Sequence, residues 1–398
     1  MSFAPFADRL QNMSGNAIRE ILKLTQRPDI ISFAGGLPAN DCFPLEQLEE
    51  IISDIAAKKE TRIFQYGLTE GQGPLKEYIA GFMNEKGLNI KADDVLITSG
   101  SQQGIDLTAK AFLNKGDKVL LENPTYLAAI QICKTYEAEF SPVLSDEQGM
   151  LPQNLAKALQ ENPEKNKIAY LIPTFQNPAG TTMGSERRKE IMELLVKEEI
   201  TIVEDNPYGE LNYSGEEFPL LKSFDKEGQV IYLGSFSKII SPGLRVGFAI
   251  ASPEVMSKLV IGKQAADVHV SNLSQEIIYE FCNRGYLKPH IEMIKDKYKK
   301  KKDLMLECLK KYMPEGVSWI EPQGGLFIWT SLPEGYSGLE LFKRAVDKGV
   351  ALVPGASFFA CGGGENTMRL NFSNSTPEEV EKGCEILGDT IKKFLAER

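Results

Sequence analysis

Val230-Ile231-Tyr232-Leu233-Gly234-Ser235-Phe236-Ser237-Lys238-Ile239-Ile240-Ser241-Pro242-Gly243-Leu244-Arg245-Val246-Gly247-Phe248-Ala249-Ile250-Ala251 reads as strand, polar turn, strand. The two outer runs are short, apolar and closed by turn formers, the pattern of buried strands. The turn between them sets Lys238 among two hydroxyls, Ser235 and Ser237, and a guanidinium, Arg245. A lysine at a buried strand end loses hydration as an ammonium, which lowers its pKa and favours the free amine. A free amine can form a Schiff base with an aldehyde. The hydroxyls and the guanidinium supply donors and fixed charge for a dianionic phosphate beside it. Pyridoxal phosphate carries both groups. A surface turn with an ordinary lysine has the same look in isolation, so the rest of the chain decides.

Outward from that turn, strand-like and helical runs alternate from about residue 95. Val95–Ser99, Lys118–Glu122, Ile168–Ile172 and Thr201–Asp205 read as strands, with helical patterns over 101–114, 125–136 and 185–198. Such alternation predicts an α/β fold around a mostly parallel sheet, and ligands collect at the carboxyl ends of its strands. Five strand ends are polar: Ser99 to Gln103, Asn123 to Tyr126, Pro173 to Gly180, Asp205 to Tyr208, and Ser235 to Arg245. After residue 264 the texture changes. Long helical stretches, 271–283 and the charged 287–312, lead into strand-like Gly325–Thr330 and Met368–Phe372 and a helix over 376–396, a smaller α+β unit. No linker rich in Ser, Pro or Gly intervenes, so the boundary is placed within a helix near 290. The expected division is a large domain over 46–289, and a small domain made of 1–45 and 290–398. Residues 1–45 hold a helical pattern from Ser14 to Thr25 and the loop Phe33-Ala34-Gly35-Gly36-Leu37-Pro38.

Composition removes whole classes. The 398 residues carry a formal charge of −10, which argues against nucleic acid and against a polybasic membrane patch. The N-terminus lacks a basic region followed by an apolar one, and no apolar run approaches a membrane span. Six cysteines are scattered without a CxxC pair, which suits reduced thiols and a cytoplasmic setting. His269 and His290 show no metal-ligand or triad spacing, so no metal is expected and both are read as partly exposed helix or loop residues. No GxxxxGK loop is present, and Gly362-Gly363-Gly364 reads as a flexible loop.

Taken together, Ser99-Gly100-Ser101-Gln102-Gln103, Asn177-Pro178-Ala179-Gly180, Asp205-Asn206-Pro207-Tyr208, Ser235-Phe236-Ser237-Lys238 through Arg245, and Arg369-Leu370-Asn371-Phe372 resemble the fold-type I pyridoxal-phosphate aminotransferases, in the family's order and over nearly the whole chain. Ser14-Gly15-Asn16-Ala17-Ile18-Arg19-Glu20 and Ser32 to Pro38 resemble the branch of 2-aminoadipate and kynurenine aminotransferases. The resemblance implies a three-layer α/β/α large domain with a smaller α+β domain. It also implies a homodimer with shared active sites, and amino acid and 2-oxo acid substrates.

Each motif has a chemical reason. Ser101 and Gln102, at a helix start, offer donors to a phosphate; Ser101 as a plain N-cap is the alternative. Asp205 can pair with the pyridine nitrogen and keep it protonated, or be a turn former ahead of Pro207. An unpaired buried carboxylate is expensive, so a cationic partner is expected. By the resemblance, Tyr208 and Asn177 bond the ring's phenolic oxygen, Tyr126 lies on the ring face, and Tyr66 reaches the phosphate of the neighbouring subunit. Pro178 and Pro124 are candidates to follow cis bonds. Arg369 resembles the residue that grips the substrate α-carboxylate, and Gly36 joins it in the substrate site. Arg19 either reads a side-chain carboxylate or pairs with a helix neighbour such as Glu20. The expected reaction is a ping-pong transamination through Lys238, with Lys238, Asp205 and Tyr208 as its catalytic residues and 2-oxoglutarate as the acceptor. A β-elimination lyase on the same fold uses the same lysine, aspartate and arginine, and an aminotransferase-like effector-binding regulator is the more distant alternative.

Overall fold

A computed structural model of the chain describes residues 6–11 and 29–397. Arg19 and the helical pattern from Ser14 to Thr25 lie outside the described residues. The described strands, in chain order, are β1 (Ile31–Ser32), β2 (Val95–Thr98), β3 (Lys118–Asn123), β4 (Glu139–Asp146), β5 (Gly149–Met150), β6 (Asn166–Leu171), β7 (Thr201–Asp205), β8 (Val230–Ser235), β9 (Gly247–Ile250), β10 (Ser318–Trp319), β11 (Phe327–Ser331), β12 (Val350–Ala351), β13 (Val353–Pro354) and β14 (Thr367–Asn371).

Eight of them form one sheet in the order β2-β9-β8-β7-β6-β3-β4-β5. β9 runs against both neighbours and β5 against β4; the other pairings, β8 with β7, β7 with β6, β6 with β3 and β3 with β4, are parallel. The mostly parallel α/β sheet expected from the alternation is therefore present. Parallel strands need helical crossovers on both faces, so their residues are apolar on both sides. On β6, Ile168 and Tyr170 pack with Ile105, Ala129, Ile130 and Leu259, from helices Ser101–Phe112, Leu127–Thr135 and Pro253–Ala266. Ala169 and Leu171 face the other way, onto Leu155 and Ile191 of helices Pro152–Gln160 and Ser185–Leu195. This alternation makes three layers.

A second, antiparallel sheet has the order β10-β11-β14-β13. It packs with helices Leu287–Tyr312, Gly338–Asp347 and Pro377–Ala396, the last closed by a capping box of Thr376 and Glu379. The N-terminal segment joins this C-terminal part: β1 pairs in parallel with β12, and Asn371 N donates to Phe33 O at 2.8 Å.

Two readings need correction. His290 is a core residue with 8% exposure, set edge-on to Phe281; burial holds its pKa down at about 4, a neutral ring that fills space. The strand β4 has no counterpart in the sequence reading. Its Pro142 argues against a strand, and only Val143 of its eight residues is buried, so the alternating signal is weak. In the glycine run 362–364 all three residues take positive φ, with the Phe359 ring against Gly364.

Candidate active site

The carboxyl ends of β2, β3, β6, β7 and β8 open on one cavity, lined by Ser101, Gln102, Tyr126, Asn177, Asp205, Tyr208, Ser235, Ser237, Lys238 and Arg245, with Gly100, Ile172, Pro207 and Pro242. Thirteen of these fourteen come from the five polar strand ends, Ile172 borders one of them, and all belong to the sheet's own connections. A larger groove of about 550 Å³, near Trp319, presents three carboxylates, Glu147, Glu216 and Glu321, with no lysine or arginine among its lining residues.

Lys238 sits just past β8 and donates from Nζ to Gly36 O at 2.8 Å. Burial first, then the positive charges of Arg369 and Arg245, hold its pKa down at about 8. The amine is thus available near neutral pH, as the turn predicts. Beside it, Ser235 Oγ accepts from Ser237 N at 3.1 Å, which folds the Ser-x-Ser turn on itself. Arg245 adopts φ 55° and donates from its guanidinium to Ser99 O at 2.9 Å. That contact ties the turn to the start of helix Ser101–Phe112, whose N-cap is Gly100 at φ 74°. Ser101 is therefore the first helical residue and its N-cap reading falls. Gly247, on β9, lies under the same corner: a Cβ there would come within 2.8 Å of Gly100 Cα and of Gly234 O. A cup of backbone amides, hydroxyls and one guanidinium results, the donor set an anion requires.

Asp205 ends β7 and is 1% exposed. Tyr170 on β6 donates its hydroxyl to Oδ2 at 2.6 Å, whereas buried Oδ1 has no hydrogen-bond partner among the described residues. Burial pushes this carboxyl up to about 6, against the lowering effect of the Tyr170 and Ser101 hydroxyls. The expected cationic protein partner is replaced by a phenol. An orphaned buried acceptor at the base of a cavity fits a pyridinium N–H, and the donor cup above fits a phosphate. The residues present thus suit pyridoxal phosphate at both ends.

Arg369, on β14, is 6% exposed and reaches the cavity from the small sheet. It donates to Asn177 Oδ1 at 2.8 Å and to Ala34 O at 2.9 Å, with its guanidinium 4.2 Å from the Phe327 ring centroid and 5.0 Å from that of Phe358. Burial lowers it to about 10, and its Nε has no partner among the described residues. Tyr208 packs edge-on to Phe327, and burial pushes its phenol upward. Tyr126, also raised, to about 12, caps helix Leu127–Thr135. The Asn123-Pro124 and Asn177-Pro178 bonds are both cis. Tyr66 is 82% exposed and stands apart from this cavity, against His269, whose Nε2 accepts from Gly67 N at 3.1 Å.

Sequence reasoning missed the layer beneath. Tyr170 stands opposite Val203 in the β6–β7 register, so it shares a sheet face with Asp205 two residues on. Arg188, fully buried, donates to Met183 O, Pro173 O, Pro219 O and Thr174 Oγ1, clasping both ends of the loop that carries Asn177. Glu122, held up at about 8 by burial, accepts from Ile172 N at 2.8 Å. Polar residues inside otherwise apolar runs were the available signal for Tyr170 and Glu122, whereas Arg188 sits in the charged stretch Ser185 to Glu190, which gives none.

A family model of aminotransferase class I and II matches residues 29–387. An aromatic-amino-acid aminotransferase of Thermococcus litoralis is 46% identical over 98% of this chain and 94% of its own length. A 2-aminoadipate transaminase of Thermus thermophilus is 41% identical over 99% of this chain and 98% of its own. Among solved structures, a kynurenine aminotransferase of Pyrococcus horikoshii in complex with PMP superposes with a TM-score of 0.94 at 42% identity, covering 98% of this chain and 97% of that one.

Proposed function

The chain belongs to the class I and II aminotransferases and is a pyridoxal-phosphate-dependent transaminase, and on that premise we propose that it moves the amino group of an L-amino acid to 2-oxoglutarate in a ping-pong cycle through Lys238. The donors proposed are glutamate, 2-aminoadipate or a broader aromatic and aliphatic range, of which 2-aminoadipate and aromatic amino acids are supported by the relatives that act on them. The observation that carries the reading is the pairing of a lysine held near pKa 8 with a buried aspartate whose Oδ1 is unpartnered, in one cavity.

Pyridoxal phosphate, when bound, supplies an aldehyde for the amino group and a ring that draws electrons from the substrate Cα. Asp205 holds the ring nitrogen, Tyr208 and Asn177 the ring oxygen, and Tyr126 a ring face. Ser101, Gln102, Ser235, Ser237 and Arg245 hold the phosphate, joined by Tyr66 of a second copy. Lys238 moves the proton at Cα: its amine accepts near neutral pH, and Arg369 and Arg245 disfavour lasting protonation. Arg369 is fixed by Asn177, Ala34 O and two aromatic rings, so it meets a carboxylate with little reorganisation. Gly36 contributes its backbone at the same place, and Arg19 reads a side-chain carboxylate. The division into residues 46–289 and 1–45 with 290–398 belongs to the same reading, with substrate held between the two parts. Among the described residues no helix is long and apolar enough to cross a membrane, and the scattered free thiols support a cytoplasmic setting.

The deciding assay offers purified protein glutamate, 2-aminoadipate and aromatic donors with 2-oxo acids. Amino exchange is expected. Release of ammonia and pyruvate from a cysteine-type substrate without exchange would replace the transaminase cycle with β-elimination. Repeating the panel with Arg19→Ala tests the side-chain reading, which an unchanged preference for acidic donors removes.

A further inference from the structure

The buried carboxylate at the base of the cavity has an asymmetric environment. Oδ2 of Asp205 accepts a 2.6 Å bond from the Tyr170 hydroxyl, and Oδ1 is buried without a partner among the described residues. Tyr170 is itself 2% exposed, locked on β6 between Ile168 and Ile172 in the same apolar layer. Burial and the neighbouring carboxylate push its phenol well above the ordinary tyrosine value, so it remains a donor throughout the working range. A short O–H···O bond to a carboxylate is charge-assisted and stabilises the anion.

We propose that Tyr170 is a positioning residue of the cofactor site: its hydroxyl occupies Oδ2, fixes the rotation of the Asp205 carboxylate so that Oδ1 serves the ring nitrogen, and keeps that carboxylate ionised. The inference rests on the assignment of Asp205 to the ring nitrogen. The geometry is economical because Tyr170 and Asp205 lie on adjacent parallel strands and on one sheet face. Register alone brings phenol to carboxylate, and no loop has to be ordered to hold it. Other groups face Asp205 as well. Ser101 adds a hydroxyl, and the phenols of Tyr126, Tyr208 and Tyr232 feel its charge from three further elements. Lys238 and Arg245 line the same cavity. Of these, Tyr170 makes the short direct bond, and its loss leaves Oδ2 without that donor in a buried layer.

The test is the rate at which holoenzyme releases pyridoxal phosphate, read by absorbance, as the ratio of Tyr170→Phe to the natural protein at pH 5.5 to 6 and at pH 8.5. The ratio cancels titrations common to both, that of the cofactor phosphate included. Losing the bond raises the Asp205 pKa by about one unit or more, so the variant should release roughly five- to tenfold faster at the acid pH and less than twofold faster at pH 8.5. A ratio equal at both pH values, or no change at all, overturns the proposal, since loss of packing alone has no pH signature. 3-Fluorotyrosine at position 170 carries the test independently if the Phe variant fails to fold: a more acidic phenol strengthens the donated bond and should slow release at the acid pH, and unchanged release overturns the proposal equally. Asp205→Asn separates the two assignments. Retention of cofactor by that variant at pH 8.5 removes Asp205 from the ring nitrogen, whereas its loss together with a flat Tyr170→Phe ratio removes Tyr170 alone.

Discussion

Lys238 and Asp205 show opposite responses to the same physics. Burial lowers the base to about 8 and raises the acid to about 6, bringing two groups that ordinarily differ by more than six units to within about two of each other. Lys238→Ala should abolish the absorbance band of lysine-linked cofactor and reduce turnover by several orders of magnitude, measured by spectrophotometry and steady-state rates. Asp205 makes a stability prediction for cofactor-free protein. Its folded pKa, about 6, lies above its unfolded value of 3.8, so its ionisation costs the fold progressively as pH rises through that window, in total about 3 kcal/mol. Asp205→Asn should therefore stabilise the cofactor-free protein above pH 6 and give no gain below about pH 4, checked by urea unfolding across that range. Arg369→Ala should raise KM for amino donors and reduce kcat/KM by roughly 30- to 1000-fold, the loss expected for one partner of a buried charge pair. Lys238 and Arg369 were readable because their neighbours in sequence declare burial: Gly234 and Phe236 around the one, Leu370 and Phe372 around the other. Tyr170 was not, because its partner lies one strand away and only the register supplies the pairing.

Elements position these residues through a few close contacts. Arg188 satisfies four acceptors beneath the Asn177 loop, with the carboxylates of Glu204 and Glu122 near enough to oppose its desolvation. Arg188→Ala should destabilise the protein by about 3–5 kcal/mol, measured by chemical denaturation, because it leaves buried acceptors and acids uncompensated. At the phosphate cup, Gly247→Ala would drive a methyl into the Gly100 backbone and Gly234 O. The expected outcome is a lowered Tm and loosened cofactor binding, both visible in a thermal melt with and without pyridoxal phosphate. Central strands such as β2 and β8 declared themselves as apolar runs, whereas β4 did not, with Pro142 inside it and solvent along most of its length. Helix ends differ from the sequence pattern by up to three residues. The pattern over 185–198 ends at Leu195, since periodicity marks a face and the terminal bonds mark an end.

At the scale of the molecule, an exposed apolar stretch remains. Phe64, Tyr66 and Leu68 are 75%, 82% and 73% exposed, and His269 and Asn272 pin their loop through Gly67 N and Gln65 O. A rigid loop with three large apolar side chains in water fits a face that a second copy covers. Light scattering at micromolar concentration should give twice the 44.2 kDa of one chain. Tyr66→Ala should weaken retention of pyridoxal phosphate while the large sheet stays intact by circular dichroism. The overall architecture was legible from the spacing of strands and polar ends, but the closure of the chain was not. β1 is two residues long and finds its partner in β12, some three hundred residues on, a pairing that no local pattern announces.

That closure sets an order of events during synthesis. The last strand of the large sheet ends at Ile250, and every residue lining the cavity lies between Gly100 and Arg245. Ala34 leaves the ribosome before any of them, yet its carbonyl receives the Arg369 guanidinium across 335 residues. A nascent chain thus builds its deep pocket long before it acquires the arm that closes it, and its earliest segment waits longest for a partner. Premature termination between Ile250 and Arg369 removes that arm and leaves every residue of the pocket's walls in the chain.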